Sequence, residues 1–285
     1  MMYWVYRLAA WLLPRTHDAI GYPVFDLIGT LAYRCAGRVR GLVAANMRHV
    51  LGPAPDERAV QRATHEAFRH LAMNYYDLFH LPGFSQHALR QRMDLVGIER
   101  IDKALGGGKG VLLAGVHFGN TEYLMQVPSL FPHFHFTLLV EKLADARSFE
   151  LMRRMRASIG MNMVAVDEPL KMVRSLRQNH VVGIAFDRDV THSGIPVEFF
   201  GQTAIIADGV IRLAMRTGAP VIPTYGWREG QRFRVRVLPA LELVSTGDQE
   251  ADVRANLRRL LAVFEPIIRE RPGQWMAFHK VWADD

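Results

Sequence analysis

The chain has 285 residues, 49% of them hydrophobic and 22% charged, with a formal net charge of +7. That composition excludes a disordered chain and fits one large globular unit, or one unit with an appendage. The single cysteine, Cys35, excludes an intramolecular disulfide framework and a cysteine-based zinc site, so a reducing compartment is the default. A basic balance favours anionic partners (nucleic acid, anionic lipid, phosphorylated substrates or carriers) without choosing among them, and serves solubility equally well.

The chain opens with "MMYWVYRLAAWLLPR", apolar from Met1 to Leu13 apart from Arg7. A helix crossing the hydrocarbon core needs about 20 apolar residues, so this stretch is too short. It also lacks the basic start and small-residue cleavage site of a secretory signal. The next apolar stretch, "GYPVFDLIGTLAYRCAG", carries Asp26 and Arg34. Two tryptophans, two tyrosines and flanking arginines are what a helix lying in a membrane interface uses. The same residues suit a helix packed on the protein's own core. Interfacial contact is the expectation, and with it a peripheral protein on the cytoplasmic face of the membrane.

Helical spacing continues to about residue 95. In "DERAVQRATHEAFRHLAMNYYDLFHL", Val60, Ala63, Ala67, Phe68, Leu71, Tyr75 and Leu78 recur near a 3.6-residue period. "PGFS" at 82–85 ends this run. From residue 110 the rhythm changes to short apolar runs at 111–116, 136–140, 163–166, 181–186, 220–225 and 232–238. Helix-like segments at about 122–130, 145–158, 168–178, 208–217 and 250–270 accompany them. Strands alternating with helices predict an α/β layer with a mainly parallel central sheet. The expected organisation is a helical, membrane-contacting portion over 1–95 and an α/β core over 96–285, together one structural unit. Ligand sites in such sheets lie beyond the carboxyl ends of the strands. His117 follows one predicted strand and "DRD" at 187–189 follows another.

His117 and Glu122 are five apart, so they do not share a face of one helix. If Gly119 or Asn120 caps a helix, His117 hangs in the preceding turn, and Glu122 in the first helical turn reaches back to one imidazole nitrogen. The other nitrogen is then free to take a proton, the general-base arrangement. Equally, Glu122 complements the helix dipole and His117 is a satisfied core histidine. No Gly-x-Ser-x-Gly elbow is present, so a base at His117 would activate a hydroxyl of the substrate. "GGGKG" at 106–110 is not a phosphate loop, because Val111 stands where Ser or Thr should be and the glycines precede the strand.

In sequence order, "GKGVLLAGVHFGNTE", "DRDVTHSGIPVEFFG", "DGVIRLAMRTGAPVIPTYGWREG" and "PGQWMAFHKVW" resemble the lipid A biosynthesis (lauroyl/myristoyl) acyltransferase family of the glycerolipid acyltransferase superfamily. The look is closest to its phosphatidylinositol mannoside branch. That resemblance implies transfer of a fatty acyl group from a thioester, acyl-CoA or acyl carrier protein, to a hydroxyl of a glycolipid or phospholipid. It makes His117 the base and Glu122 its orienting acid. It gives Arg156 a functional role and matches Asp187 to the acidic residue at a strand end. Backbone N–H groups around Gly119 and Asn120 are expected to face the charge that develops on the thioester carbonyl. Arg153, Arg154, Arg156 and Arg188 are expected as clamps for a phosphorylated donor, although the arginines of 153–156 also read as a solvated helix face. No metal or redox cofactor is called for.

Two rival readings stand beside this one. Asp187 and Asp189 form an Asp-x-Asp, the mark of a metal-dependent glycosyltransferase, which leaves the His117–Glu122 pair without a role. A non-catalytic binder of membrane or nucleic acid would use the positive charge. The basic residues are scattered, however, and a nucleic-acid footprint is not expected. Phe199, Phe200 and Trp227 suit core or acyl-channel lining, and Trp275 and His279 suit packing of the C-terminus.

Overall fold

The computed structural model describes residues 2–141 and 145–282. The chain begins with α1 (Met2–Leu12), α2 (Asp18–Cys35), α3 (Gly37–Leu51) and α4 (Glu57–His80). Asp56 caps α4, its carboxylate accepting the Arg58 N–H at 3.1 Å. The early turns of α4 bury Val60, Ala63, Ala67 and Phe68, as the spacing predicts. The later turns differ: Tyr75 is 48% exposed, and Ala72, Tyr76 and Phe79 are buried instead. The faces buried there are those that meet α2, where Tyr22 bonds Asp77, and the Gly119 carbonyl, which Asn74 bonds, and Tyr75 lies outside them.

Helix α2 lies on α4 and buries only Gly21 and Gly29. A Cβ at Gly29 would stand 2.6 Å from the Arg69 Cα, and one at Gly21 would stand 2.2 Å from the Tyr76 ring. The two helices touch backbone to backbone at Gly29, and at Gly21 the α2 backbone lies against the Tyr76 ring. Polar bonds flank the contact, with Arg69 donating to Asp26 at 2.6 Å and Tyr22 to Asp77 at 2.7 Å. The outer face of α2 presents Ile20, Val24, Leu27, Ile28 and Leu31 to solvent, all on one side by their spacing. Helix α1 buries no residue. It leaves Trp4, Val5, Leu8, Trp11 and Leu12 exposed, while Arg7 stacks on Trp4 and Arg15 on Trp11. Among the described residues, no helix is long and apolar enough to cross a membrane.

The core follows as α5 (Gln86–Arg92), β1 (Met93–Val96), α6 (Glu99–Leu105), β2 (Val111–Gly115), α7 (Thr121–Leu124), α8 (Val127–Leu130), β3 (Phe136–Val140) and α9 (Ala146–Ala157). It continues through β4 (Met161–Ala165), α10 (Pro169–Arg177), β5 (Val181–Ala185), β6 (Ile195–Phe199), β7 (Gln202–Ile206) and α11 (Gly209–Thr217). It ends with β8 (Val221–Glu229), β9 (Arg232–Val237) and α12 (Gln249–Glu270). The sheet order is β1-β9-β8-β2-β5-β3-β4, with every pairing parallel except the β8–β9 hairpin. The mainly parallel α/β sheet expected from the strand–helix alternation is present. Val111, Val181 and Ile222 belong to one buried cluster, and Leu112, Val182 and Val221 to another. Successive strand residues point to opposite faces, so the sheet is covered on both sides, which is why its strands read as continuous apolar runs.

Strands β1, β6 and β7 and helix α6 were not anticipated, being short and without a clear period. The single helix expected over 122–130 is two turns, α7 and α8. Pro128 sits at the start of α8, where its missing N–H is tolerated, but it could not continue a helix from α7.

The glycines of the first helices yield opposite predictions. Gly29→Ala forces a methyl group into the Arg69 backbone and should destabilise the protein by about 1–3 kcal/mol. At Gly41, inside α3, a Cβ meets nothing within 4 Å. Gly41→Ala should stabilise by about 0.5–1 kcal/mol. Urea unfolding followed by circular dichroism measures both, and equal effects at the two sites would refute the close contact of α2 with α4.

Candidate active site

Strands β2 and β5 are parallel neighbours in a register that opposes Gly115 to Ala185. Two residues beyond each strand stand His117 and Asp187. Asp187 Oδ1 lies 2.8 Å from His117 Nδ1, and the two carboxylate oxygens accept the His117 backbone N–H at 3.1 and 3.0 Å. The Trp275 indole N–H donates to Asp187 Oδ2 at 2.9 Å. Asp187 is buried, whereas the His117 side chain is 39% exposed. Among the described residues, His117 Nε2 makes no hydrogen bond.

The electrostatics follow from this placement. Burial pushes the His117 imidazole down, and the Asp187 carboxylate, by charge and by hydrogen bond, more than offsets it, so the pKa is raised. The Arg188 guanidinium opposes Asp187 more weakly. For Asp187, burial pushes upward, while His117 and the Trp275 donor outweigh it and hold the carboxyl below its ordinary value.

Glu122 does not reach the imidazole. Its carboxylate pairs with Arg156 on α9, and the two side chains are only 12% and 7% exposed. Asn120 caps α7 by accepting the Glu122 N–H at 2.9 Å, which points the Glu122 side chain away from the turn and toward α9. The expected His117–Glu122 contact is replaced by two separate pairs, His117–Asp187 and Glu122–Arg156. Arg156 therefore has a buried partner and is not an open anion clamp.

Gly119 and Asn120 were expected as donors to the reacting carbonyl. Gly119 adopts φ +64°, and a Cβ there would fall 2.0 Å from the Gly226 carbonyl oxygen, so only glycine fits. Its N–H already donates to the Gln274 carbonyl at 2.7 Å, which corrects that expectation for Gly119. The Asn120 side chain is fully buried and donates to Asp77. Arg188 is half exposed and pairs with Glu141 at 3.0 Å, beside the site. Arg153 and Arg154 pair with Glu150 on the outer face of α9, the solvated alternative named above.

The C-terminal segment completes the site. Phe118 and Trp275 form an antiparallel bridge, and the Met276 N–H donates to the His117 carbonyl at 2.7 Å. His279 Nε2 lies 3.1 Å from the Asp187 carbonyl oxygen. Trp275 and His279, read as packing, thus touch the residue that holds the imidazole. Their sequence signal was the "QWMAFHKVW" stretch, which carries part of the family resemblance without giving either residue a role. Asp187 and Asp189 do not act as a pair: Asp189 accepts the Ser193 and Gly194 N–H groups at 3.2 and 2.8 Å. No group of three or more His, Cys, Asp or Glu side chains that could hold a metal gathers among the described residues.

A parallel α/β sheet bearing a histidine–carboxylate pair at its carboxyl end is a scaffold for proton-transfer chemistry on a substrate. Residues 1–284 match the bacterial lipid A biosynthesis acyltransferase family, and the chain belongs to it. It is an acyltransferase. A phosphatidylinositol mannoside acyltransferase of Mycobacterium tuberculosis is 30% identical over 253 residues, 84% of this chain and 76% of the relative. One of Mycolicibacterium smegmatis is 28% identical over 285 residues, 97% of this chain and 90% of the relative.

Titration of the His117 ring, followed by NMR, separates the two carboxylates. Asp187→Asn should lower its pKa below the ordinary histidine value, because burial and Arg188 then act unopposed. Glu122→Gln should leave it in place. A shift caused by Glu122→Gln and not by Asp187→Asn would overturn the pairing described here.

Proposed function

We propose that the chain is an O-acyltransferase that moves a fatty acyl group from an acyl thioester, acyl-CoA or acyl carrier protein, to a hydroxyl of a glycolipid such as a phosphatidylinositol mannoside. The observation that carries the reading is the His117–Asp187 pair with Nε2 left open, in a member of an acyltransferase family. The acceptor is suggested by the names of the two relatives.

His117 Nε2 takes the proton of the acceptor hydroxyl, and its oxygen attacks the thioester carbonyl. The tetrahedral intermediate collapses, the carbon–sulfur bond breaks, and the imidazolium returns its proton to the departing thiolate. Asp187 fixes the tautomer with Nδ1 protonated and stabilises the imidazolium. Glu122 and Arg156 position α7 rather than move protons. In this reading Arg188, half exposed beside Asp187, exchanges its Glu141 partner for a phosphate of the donor or acceptor. Asp187 and Asp189 are otherwise engaged, and no observation favours a glycosyltransferase.

The exposed faces of α1 and α2 support a peripheral seat on a membrane, in this reading its cytoplasmic face, where a lipid acceptor and a thioester donor both reach the enzyme. Interfacial tryptophans with neighbouring arginines suit the headgroup region. Trp4→Ser with Trp11→Ser should reduce co-sedimentation with anionic vesicles by about ten-fold or more while hydrolysis of a soluble thioester persists. Undiminished binding would move the contact elsewhere.

The deciding assay is thiol release from palmitoyl-CoA in the presence of EDTA, with and without candidate lipid acceptors, acyl-loaded carrier protein being the second donor. Acceptor-stimulated release should vanish in His117→Ala and fall about 10²- to 10⁴-fold in Asp187→Asn. In the wild type, kcat should rise with pH through an apparent pKa above the ordinary histidine value, since the base must be neutral and Asp187 favours its charged form. Equal release by wild type and His117→Ala would dismiss His117 as the base.

A further inference from the structure

Behind the turn that carries His117, the hydrogen bonds close into a ring. Gly119 donates its N–H to the Gln274 carbonyl at 2.7 Å. The Gln274 side chain accepts the Arg228 N–H and donates to the Arg228 carbonyl, both at 2.9 Å. The Arg228 guanidinium pairs with Asp77, and Asp77 accepts from the Asn120 side chain, next in the chain to Gly119. A second bond from α4 joins the ring, with Asn74 Nδ2 donating to the Gly119 carbonyl at 2.9 Å. Tyr22 on α2 donates to the other oxygen of Asp77 at 2.7 Å.

We infer that Asp77 is a positioning residue for acyl transfer: through Asn120 it holds the start of α7 and the His117 turn in place, and through Tyr22 it ties that turn to α2. The inference rests on the function proposed above. Asp77 is the only carboxylate in this ring, it is fully buried, and donors from three other elements converge on it. Its single-oxygen bonds to Asn120 and Arg228 fix where the first turn of α7 begins relative to β8. His117 lies three residues before Asn120, and Gly119 between them is held from both sides, so a shift of Asn120 is passed to the imidazole.

Stability alone is a poor account of such a group. A buried ion pair is often replaced by apolar residues of similar volume with no loss of stability. What apolar residues cannot reproduce is the acceptor that Asn120 requires. A displacement of about 1 Å at a reacting group costs on the order of 100-fold in rate.

The test uses the full chain in the thiol-release assay. Asp77→Leu combined with Arg228→Met removes both charges together and leaves Asn120 without its acceptor. It should stay folded, melting several degrees below the wild type because the Asn120 amide and Tyr22 hydroxyl lose their acceptor, lose about 10- to 100-fold in kcat well below its melting temperature, and keep KM for palmitoyl-CoA within about three-fold. Asn120→Ser, which still caps α7 but is too short to reach Asp77, should show the same split between kcat and KM and stands in if the double variant does not fold. Asp77→Asn can turn its oxygen toward Asn120 and Arg228 and its amide toward the Tyr22 hydroxyl, so it should recover most of the lost kcat. A folded double variant or Asn120→Ser with wild-type kcat overturns the inference, as do losses in all three that merely follow melting temperature. Absence of acyl transfer in the wild type with either donor would instead refute the proposed function, and is read without any variant.

Discussion

The register between β2 and β5 is the constraint on which the site depends. With Gly115 opposite Ala185, the next residues of each strand leave the sheet side by side, and His117 meets Asp187 across a gap of 70 positions in sequence. Asp187 receives the imidazole, the His117 backbone N–H and the Trp275 indole, so it is well supplied with donors despite being buried. A carboxylate in that setting stays charged and fixes the ring that faces it. A slip of one strand by a single residue would turn its side chain to the other face and dissolve the pair.

The other carboxylate near the turn has a different duty because its surroundings differ. Glu122 is taken by Arg156, and with both side chains nearly excluded from water the pair is costly to break from either side. It joins α7 to α9. The C-terminal segment holds the His117 turn through Phe118, Trp275 and Met276. Asn74 and Asp77 on the polar inner face of α4 hold the same turn from behind. Helix α2 rests on the back of α4 by glycine contacts and turns its apolar side outward, which places that exposed surface one helix away from the His117 turn.

Much of the fold was legible. Strands at 111–115, 136–140 and 181–185 coincide with the apolar runs, because a parallel sheet buried on both faces writes its strands as continuous hydrophobic segments, while the strand at 232–237 showed as an alternation of arginine with Phe233, Val235 and Val237. His117 stood out because a histidine ended such a run. The β6–β7 hairpin left no such mark, since its exposed positions alternate with buried ones over only a few residues. Tyr75 was misplaced because helical spacing gives a stripe but not its rotation.

The partner of His117 was the least legible feature. Glu122 was near in sequence, and a local pattern favours near neighbours. Asp187 was placed at a second strand end and matched to the family by resemblance, but nothing local joined it to the imidazole. Asn74 and Asp77 sat unnoticed within a helical stripe, where a buried polar side chain looks like any other interruption.

By itself, then, the sequence determined the α/β class, the strand ends from which the site residues project, and the family, all of which are written in local periodicity and contiguous motifs. Only the tertiary structure decided which carboxylate meets the imidazole, which one pairs with arginine, and which backbone donors are already engaged. Those choices depend on strand register and helix docking between segments dozens of residues apart, and no local spacing encodes the distance between them.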